Sequence, residues 1–404
     1  MLNYKRKRKK RKIAIFILFI HLCVYILFGG FIFFEANATD NATETNAEEK
    51  LNESLIEQID GLDLNALQEY VDSLDSFSDE SVGERLISYI KGNEFNYEKF
   101  SKDLIKVLFQ KVGEILPAFA CIASITLLSG LVSTLKSNSN MRTSADMIFL
   151  ISYAAALIPL VGVLTECFSQ TIDGVLAMQK QMQIVYPIML TLMAASGGTV
   201  SAAICRPSVA FLSSTIVSLI VSVVLPFTVT IVSFSMASNL TKDLKISKFG
   251  GFFKSINKWI IGVCVSVFGL FMTLQGITSS AYDGIVRRAA KYAIGNAIPI
   301  VGGFLSGGFD LAVAGSILIK NSLGSMSIFL MVSVLFEPLV LLICVSLLLR
   351  FTSAVTQPFG DSKISDFLGE TADNMQYCTA SLLFTAFMYF LSIVMLVSTS
   401  EALL

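Results

Sequence analysis

The feature that most constrains this chain is a series of long, nearly uncharged apolar stretches: Ile115 to Leu135, Met147 to Leu164, Ile184 to Ile204, Val209 to Phe234, Trp259 to Thr278, Met326 to Leu349 and Cys378 to Val397. Each is close to the roughly 20 residues that a helix needs to cross the hydrocarbon of a bilayer, and only the Met326 to Leu349 run holds a charge, Glu337. With 15% charged residues in 404 positions, too few charges are left to cover a soluble fold, where roughly a quarter is usual. Backbone polar groups cannot stay unpaired in hydrocarbon, and no strand-length alternation is visible. The stretches are therefore expected to be helices, not barrel strands. The fold class that follows is all-α, a polytopic helical membrane protein.

An eighth stretch, Ile298 to Ile319, is ambiguous. It contains Pro299, Asp310 and the glycines Gly302, Gly303, Gly307, Gly308 and Gly315, so a broken or re-entrant helix is as good a reading as a full span. The expectation is seven or eight membrane segments after an N-terminal signal.

The formal net charge of −1 hides a strong segregation. Lys and Arg fill positions 5 to 12, whereas residues 35 to 99 hold 17 Asp and Glu against four Lys and Arg, a balance of −13. The basic cluster followed by the apolar run Ile13 to Phe34 has the n-region and h-region of a secretory signal. Ala36 and Ala38 supply the small-x-small pattern that a signal peptidase reads. Cleavage after Ala38 is expected, with an uncleaved signal anchor as the alternative. In both cases the basic cluster stays cytoplasmic and the acidic segment is exported. The domains read from the sequence are thus 1–38, the signal peptide or anchor; 39–110, a small exported acidic helical domain; and 111–404, the multi-pass transmembrane domain.

Within the exported domain, Leu51, Leu55, Ile59 and Leu62, and then Leu67, Tyr70, Val71 and Leu74, repeat at helical spacing. Short amphipathic helices follow, serving either as a cap on the bilayer or as a docking surface for partners. Orientation meets one objection. If every apolar run crosses, the lysines at 242, 245, 248, 254 and 258 fall on the exported side, against the positive-inside rule. Either one run between Ile184 and Phe234 does not cross, or the rule fails here.

The chemistry is defined largely by exclusion. The single histidine, His21, lies in the leader, which argues against Ser-His-Asp and Cys-His catalysis and His-ligated metal. No Gly-x4-Gly-Lys-Ser/Thr loop is present, so ATP hydrolysis by this chain is not expected. We expect no enzymatic activity and assign no catalytic, cofactor-binding or metal-binding residues. The seven cysteines sit in or beside apolar runs with no Cys-x-x-Cys pair and read as small hydrophobes. Lipid is the implied partner, and no nucleic acid is.

Pore or packing candidates remain. Glu337, followed by Pro338, and Asp310 lie inside apolar segments, where a carboxylate costs about 2.5–3.5 kcal/mol on translocon scales. Each is either a packed acid bonded to a neighbouring helix or part of a pore lining or ion relay. Ser196, Gly197 and Gly198, with Gly302, Gly303, Gly307 and Gly308, place small residues where helices can pack closely or where a helix can hinge. Prolines inside the spans predict kinks.

Three segments resemble the stage III sporulation protein AE family: Leu192-Met-Ala-Ala-Ser-Gly-Gly-Thr-Val-Ser-Ala-Ala203; Gln275-Gly276 through Gly295-Asn-Ala-Ile-Pro-Ile-Val-Gly302 to Ile319-Lys-Asn321; and Gln357-Pro-Phe-Gly360. The resemblance covers nearly the whole chain. It implies a mother-cell protein in the membrane around the forespore, acting with other stage III sporulation proteins of the same operon and a forespore partner in a channel or feeding apparatus. Those proteins include a secretion-type ATPase and ring-forming proteins. It carries over no catalytic residues. The reading is a permease-like or export-gate component of that channel. The alternatives are an ion-coupled secondary transporter using Glu337 or Asp310, and a structural scaffold of the same complex.

Overall fold

In hydrocarbon the helix is the one local structure that pairs its own backbone, and the described residues follow that rule. The computed structural model describes residues 45–74, 81–91, 97–136, 142–240, 247–297, 302–358 and 362–401, and among them the regular elements are all helical. The leader, with Ala36 and Ala38, lies outside the described residues.

Three short helices come first: α1 (Thr45–Asp60), α2 (Asn65–Asp72) and α3 (Val82–Ile90). Each buries one apolar stripe, as its spacing predicts: Leu55 and Ile59, then Leu67, Tyr70 and Val71, then Val82 and Leu86. A capping box fixes the start of α3. The Ser81 hydroxyl accepts the Glu84 N–H, and the Glu84 carboxylate accepts the Ser81 N–H at 3.1 Å. The Val82 N–H donates to Gln68 Oε1 at 2.7 Å and ties α3 to α2.

Six long helices follow: α4 (Tyr97–Lys136), α5 (Arg142–Ala195), α6 over 199–240, α7 (Ser247–Ala297), α8 (Gly302–Thr356) and α9 (Ser362–Glu401). All six are long and apolar enough to cross a membrane. Within α6, two π-helical turns, Leu212–Ile216 and Ile220–Val224, lie between Pro207 and Pro226. Proline withholds an N–H from the ladder, and a widened turn re-spaces the bonds beside it. Pro117, Pro159, Pro187 and Pro338 also lie inside helices that continue through them.

Where the sequence suggested seven or eight segments, the described residues hold six candidate spans. The difference arises because the helices are longer than the apolar runs. Met147 to Leu164 and the first part of Ile184 to Ile204 share the 54-residue α5. Ile298 to Ile319, which suggested a broken helix, continues from Gly302 into the Met326 to Leu349 run as the 55-residue α8. At 1.5 Å per residue α8 is about 82 Å long, nearly three times the hydrocarbon thickness of about 30 Å. One continuous helix of that kind supplies one crossing.

The revised count removes the objection raised by the lysines at 242 to 258 and moves it to Arg287, Arg288 and Lys291, at the other end of α7. α4 leads away from the short helices, α5 returns and α6 leads away again. The basic segment after α6 then shares an end with Lys136 and Arg142, as positive-inside requires. Contacts at that end agree: Tyr153 donates to the Met236 carbonyl at 2.8 Å, Asn239 Nδ2 reaches Glu370 at 3.4 Å, and Lys363 Nζ lies 4.1 Å from the Phe149 ring centre.

At the centre, α8 runs antiparallel to both α5 and α9. Gly324 faces Val397 and Met189, Leu330 accepts from Gln181, and Pro338 meets Gly174. Of the apolar window of α9, 61% is buried, and of that of α8, 50%; α7 buries 17% and α4 28%. Helices α8 and α9 therefore form the interior, and α7 stands at the rim.

Candidate functional site

Three polar levels occur along α8, and each is built where a long helix meets a neighbour. The first is the dock of the short helices. Ser316 Oγ donates to Gln58 Oε1 at 2.9 Å, and Gly315 leaves room for that amide: a Cβ there would stand 2.6 Å from Gln58 Nε2. Ser322 Oγ donates to the Leu86 carbonyl at 3.0 Å. Beside this dock Lys320 is fully buried, with Nζ 2.8 Å from the Val397 carbonyl near the end of α9. A cation there complements the negative end of the helix.

The second level joins α2 to α5 and α8. Gln181 is fully buried, and its amide donates to Tyr70 Oη at 2.9 Å and to the Leu330 carbonyl at 3.0 Å. Lys180 Nζ lies 5.4 Å from the centre of the Tyr70 ring. Burial pushes the Tyr70 hydroxyl above its ordinary range, opposed in part by its bond to Gln181. Neighbouring this level, the rings of Tyr186 and Tyr389 meet edge to face at 5.8 Å.

The third level contains Glu337. Its Oε1 lies 2.8 Å from Lys111 Nζ of α4, and Lys111 also reaches Glu114 at 3.4 Å. The Glu337 side chain is 50% exposed, so it is an ion-paired surface acid, not a buried acid bonded to a neutral group. Pro338 beside it is buried against α5. A Cβ on Gly174 would come within 3.0 Å of its Cγ and 3.2 Å of Leu382 Cδ1.

The remaining candidates from the sequence separate from these levels. Ser196, Gly197 and Gly198 end α5, with Ser196 and Gly198 buried there. Gly197 has φ 95°, its N–H bonds the Ala194 carbonyl, and the Gly198 N–H bonds the Met193 carbonyl. That is a Schellman cap, which requires the left-handed residue. Gly302, Gly303, Gly307, Gly308 and Asp310 form the first turns of α8, and their side chains lie outside the described residues. Sequence reasoning missed Lys320, Gln181, Lys111, Gly174 and Gly324. Lys320 was visible as a charge just ahead of the Met326 run; a lone glycine inside an apolar run gave no comparable signal.

Among the described residues, no group of three or more His, Cys, Asp and Glu converges to hold a metal ion. What the arrangement offers is a bundle with a docked, largely acidic set of short helices and, at the level of its apolar runs, an ion pair whose acid is half exposed. No solved structure matches the chain. Stage III sporulation protein AE of Bacillus subtilis (strain 168) is 24% identical over 323 residues, covering 80% of this chain and 81% of that protein. The family described as stage III sporulation protein AE matches residues 82–400. The chain is therefore a member of the stage III sporulation protein AE family, a multi-pass membrane protein of sporulation.

Proposed function

We propose that this chain is a non-enzymatic core component of a channel between mother cell and forespore, its permease-like or export-gate part. It sits in the mother-cell membrane around the forespore. Its partners are other stage III sporulation proteins, among them a secretion-type ATPase and ring-forming proteins, and a forespore channel protein. The observation that favours a conducting role over a pure scaffold is the Lys111–Glu337 pair, its acid half exposed beside apolar helices. An ionisable pair among apolar helices marks a pathway more often than a packing contact. Crosslinking in sporulating cells, read by mass spectrometry, tests the reading. Links to sporulation proteins in the forespore-surrounding membrane support it, and recovery only from vegetative membranes, free of those proteins, removes it.

The same ion pair favours a second reading, an ion-coupled transporter. Glu337→Gln keeps the shape of the side chain and removes its charge. Sporulation at the wild-type level supports a merely structural pair; loss of sporulation with the protein still present supports ion coupling.

A further inference from the structure

At one depth of the bundle, neighbouring helices require different solvents. Gly174 of α5 stands against Pro338 of α8 and Leu382 of α9, and Gln181 against Leu330. Phe384 of α9 meets Phe268 of α7 edge to face at 6.2 Å. These contacts put residues 170–181 of α5 level with the first half of the uncharged Cys378 to Val397 run and with the middle of Met326 to Leu349. Glu166 lies eight residues beyond Gly174, about 12 Å along the axis, at the edge of that band. On α7 the band shows lipid-compatible side chains, with Val265 48% and Leu270 64% exposed.

On α5 the same band exposes Glu166, Ser169, Asp173 and Lys180, spaced three, four and seven residues apart along one helix face. α4, packed on α5, adds exposed Gln110 and Glu114, with Glu337 completing the level through Lys111. Hydrogen bonds within the band run along single helices: Gln170 to Glu166 at 2.6 Å, Ser169 to Asp173 at 3.3 Å and Gln110 to Glu114 at 3.0 Å. Ionised groups in such numbers are not tolerated against lipid tails. Four carboxylates, Glu114, Glu166, Asp173 and Glu337, stand here against Lys111, which two of them already hold, and Lys180, which lies over the Tyr70 ring.

We infer that the α4–α5 face of the bundle lines a water-filled space at bilayer depth, and that this wall favours cations over anions. The inference deepens the channel reading and rests on it for its purpose. It names the face along which solute passes, with α7 turned to lipid on the other side. The carboxylates concentrate cations in the space as a ring of acids does in a cation pore.

The test is thiol accessibility in the full chain reconstituted in liposomes. Single cysteines replace Ser169, Asp173 and Gln110 on the wall, and Val265 and Leu270 on the rim, with the unsubstituted chain as blank. All are exposed positions. Ser169→Cys changes one atom and guards against loss of folding. Only a thiolate reacts, and a thiol facing hydrocarbon stays protonated, so the wall positions should react with a water-soluble methanethiosulfonate more than about tenfold faster than the rim positions. A cationic reagent should outpace an anionic one on the wall. Wall rates equal to rim rates overturn the inference; equal rates for the two reagents overturn the cation preference. Solute flux through the same liposomes separates the two proposals. Labelling without flux keeps the wall and removes the channel reading, whereas flux without labelling does the reverse.

Discussion

Gly174 and Gly324 lie in the seam of α5, α8 and α9; Gly251, Gly262 and Gly269 lie along α7. The first two have little room for a single carbon: a Cβ on Gly324 would stand 2.6 Å from Val397 Cγ2, and one on Gly174 3.0 Å from Pro338 Cγ. The α7 glycines have nothing within 4 Å of that position. One residue type therefore does opposite things in two parts of one bundle. In the seam it sets the distance between helices, and at the rim it only weakens the helix that carries it. The difference lies in the opposing surface, not in the local sequence.

The largest expected effect breaks the seam. Gly324→Val forces α8 away from α9, because Val397 is β-branched and, held to one helical rotamer, cannot swing aside. Overpacking of this kind costs about 1–3 kcal/mol. Thermal unfolding in detergent should fall accordingly, and Gly324→Ala should lie between valine and wild type. Unchanged melting for the valine variant would mean that the seam is looser than its distances imply.

Next comes the tie between the short helices and that seam. Tyr70→Phe deletes the hydroxyl that receives the buried Gln181 amide. Leaving that amide one partner short costs about 1–2 kcal/mol. The loss should be local: hydrogen exchange should quicken over residues 65–72 while α8 and α9 keep their protection. Equal loosening everywhere would make the short helices part of the core.

This contrast also explains what the sequence disclosed. Helix type and apolar interior were legible because runs such as Cys378 to Val397 leave no other structure open. The number of crossings was not. Hydropathy marks where a chain is apolar, whereas α5 stays helical through Glu166, Gln170, Asp173 and Gln181, whose side chains need only an exposed face or a buried partner. Asp310 and Glu337 stood out as charges in apolar surroundings, but Lys111, the partner of Glu337, sits in a charged stretch where nothing singles it out. Ser196-Gly197-Gly198 read as a packing motif because Gly-Gly serves caps and contacts equally, and the cap itself shows only in φ at Gly197.

A smaller effect concerns the left-handed residue itself. Gly197→Ala places a Cβ at φ 95°, at a cost of about 1–2 kcal/mol. Gly197→Asn should recover part of it, since Asn tolerates that region. Melting temperatures of the two variants, ranked alanine below asparagine below wild type, check the cap. If alanine equals wild type, the turn between α5 and α6 does not need its left-handed residue.

The smallest effect lies at the rim and has the opposite sign. Gly262→Ala and Gly269→Ala add a methyl to open space on α7, so no neighbour must move. Alanine is better than glycine inside a helix by about 0.8–1 kcal/mol in water. In lipid the gain shrinks, because an unfolded helix is already a poor alternative where backbone groups lack water. Each substitution should leave the melting temperature unchanged or raise it slightly, and sporulation should proceed at the wild-type level. A clear loss of sporulation from either one, with the protein present at normal amounts, would mean that this face of α7 packs against another protein instead of lipid. The contrast between seam and rim would then fail.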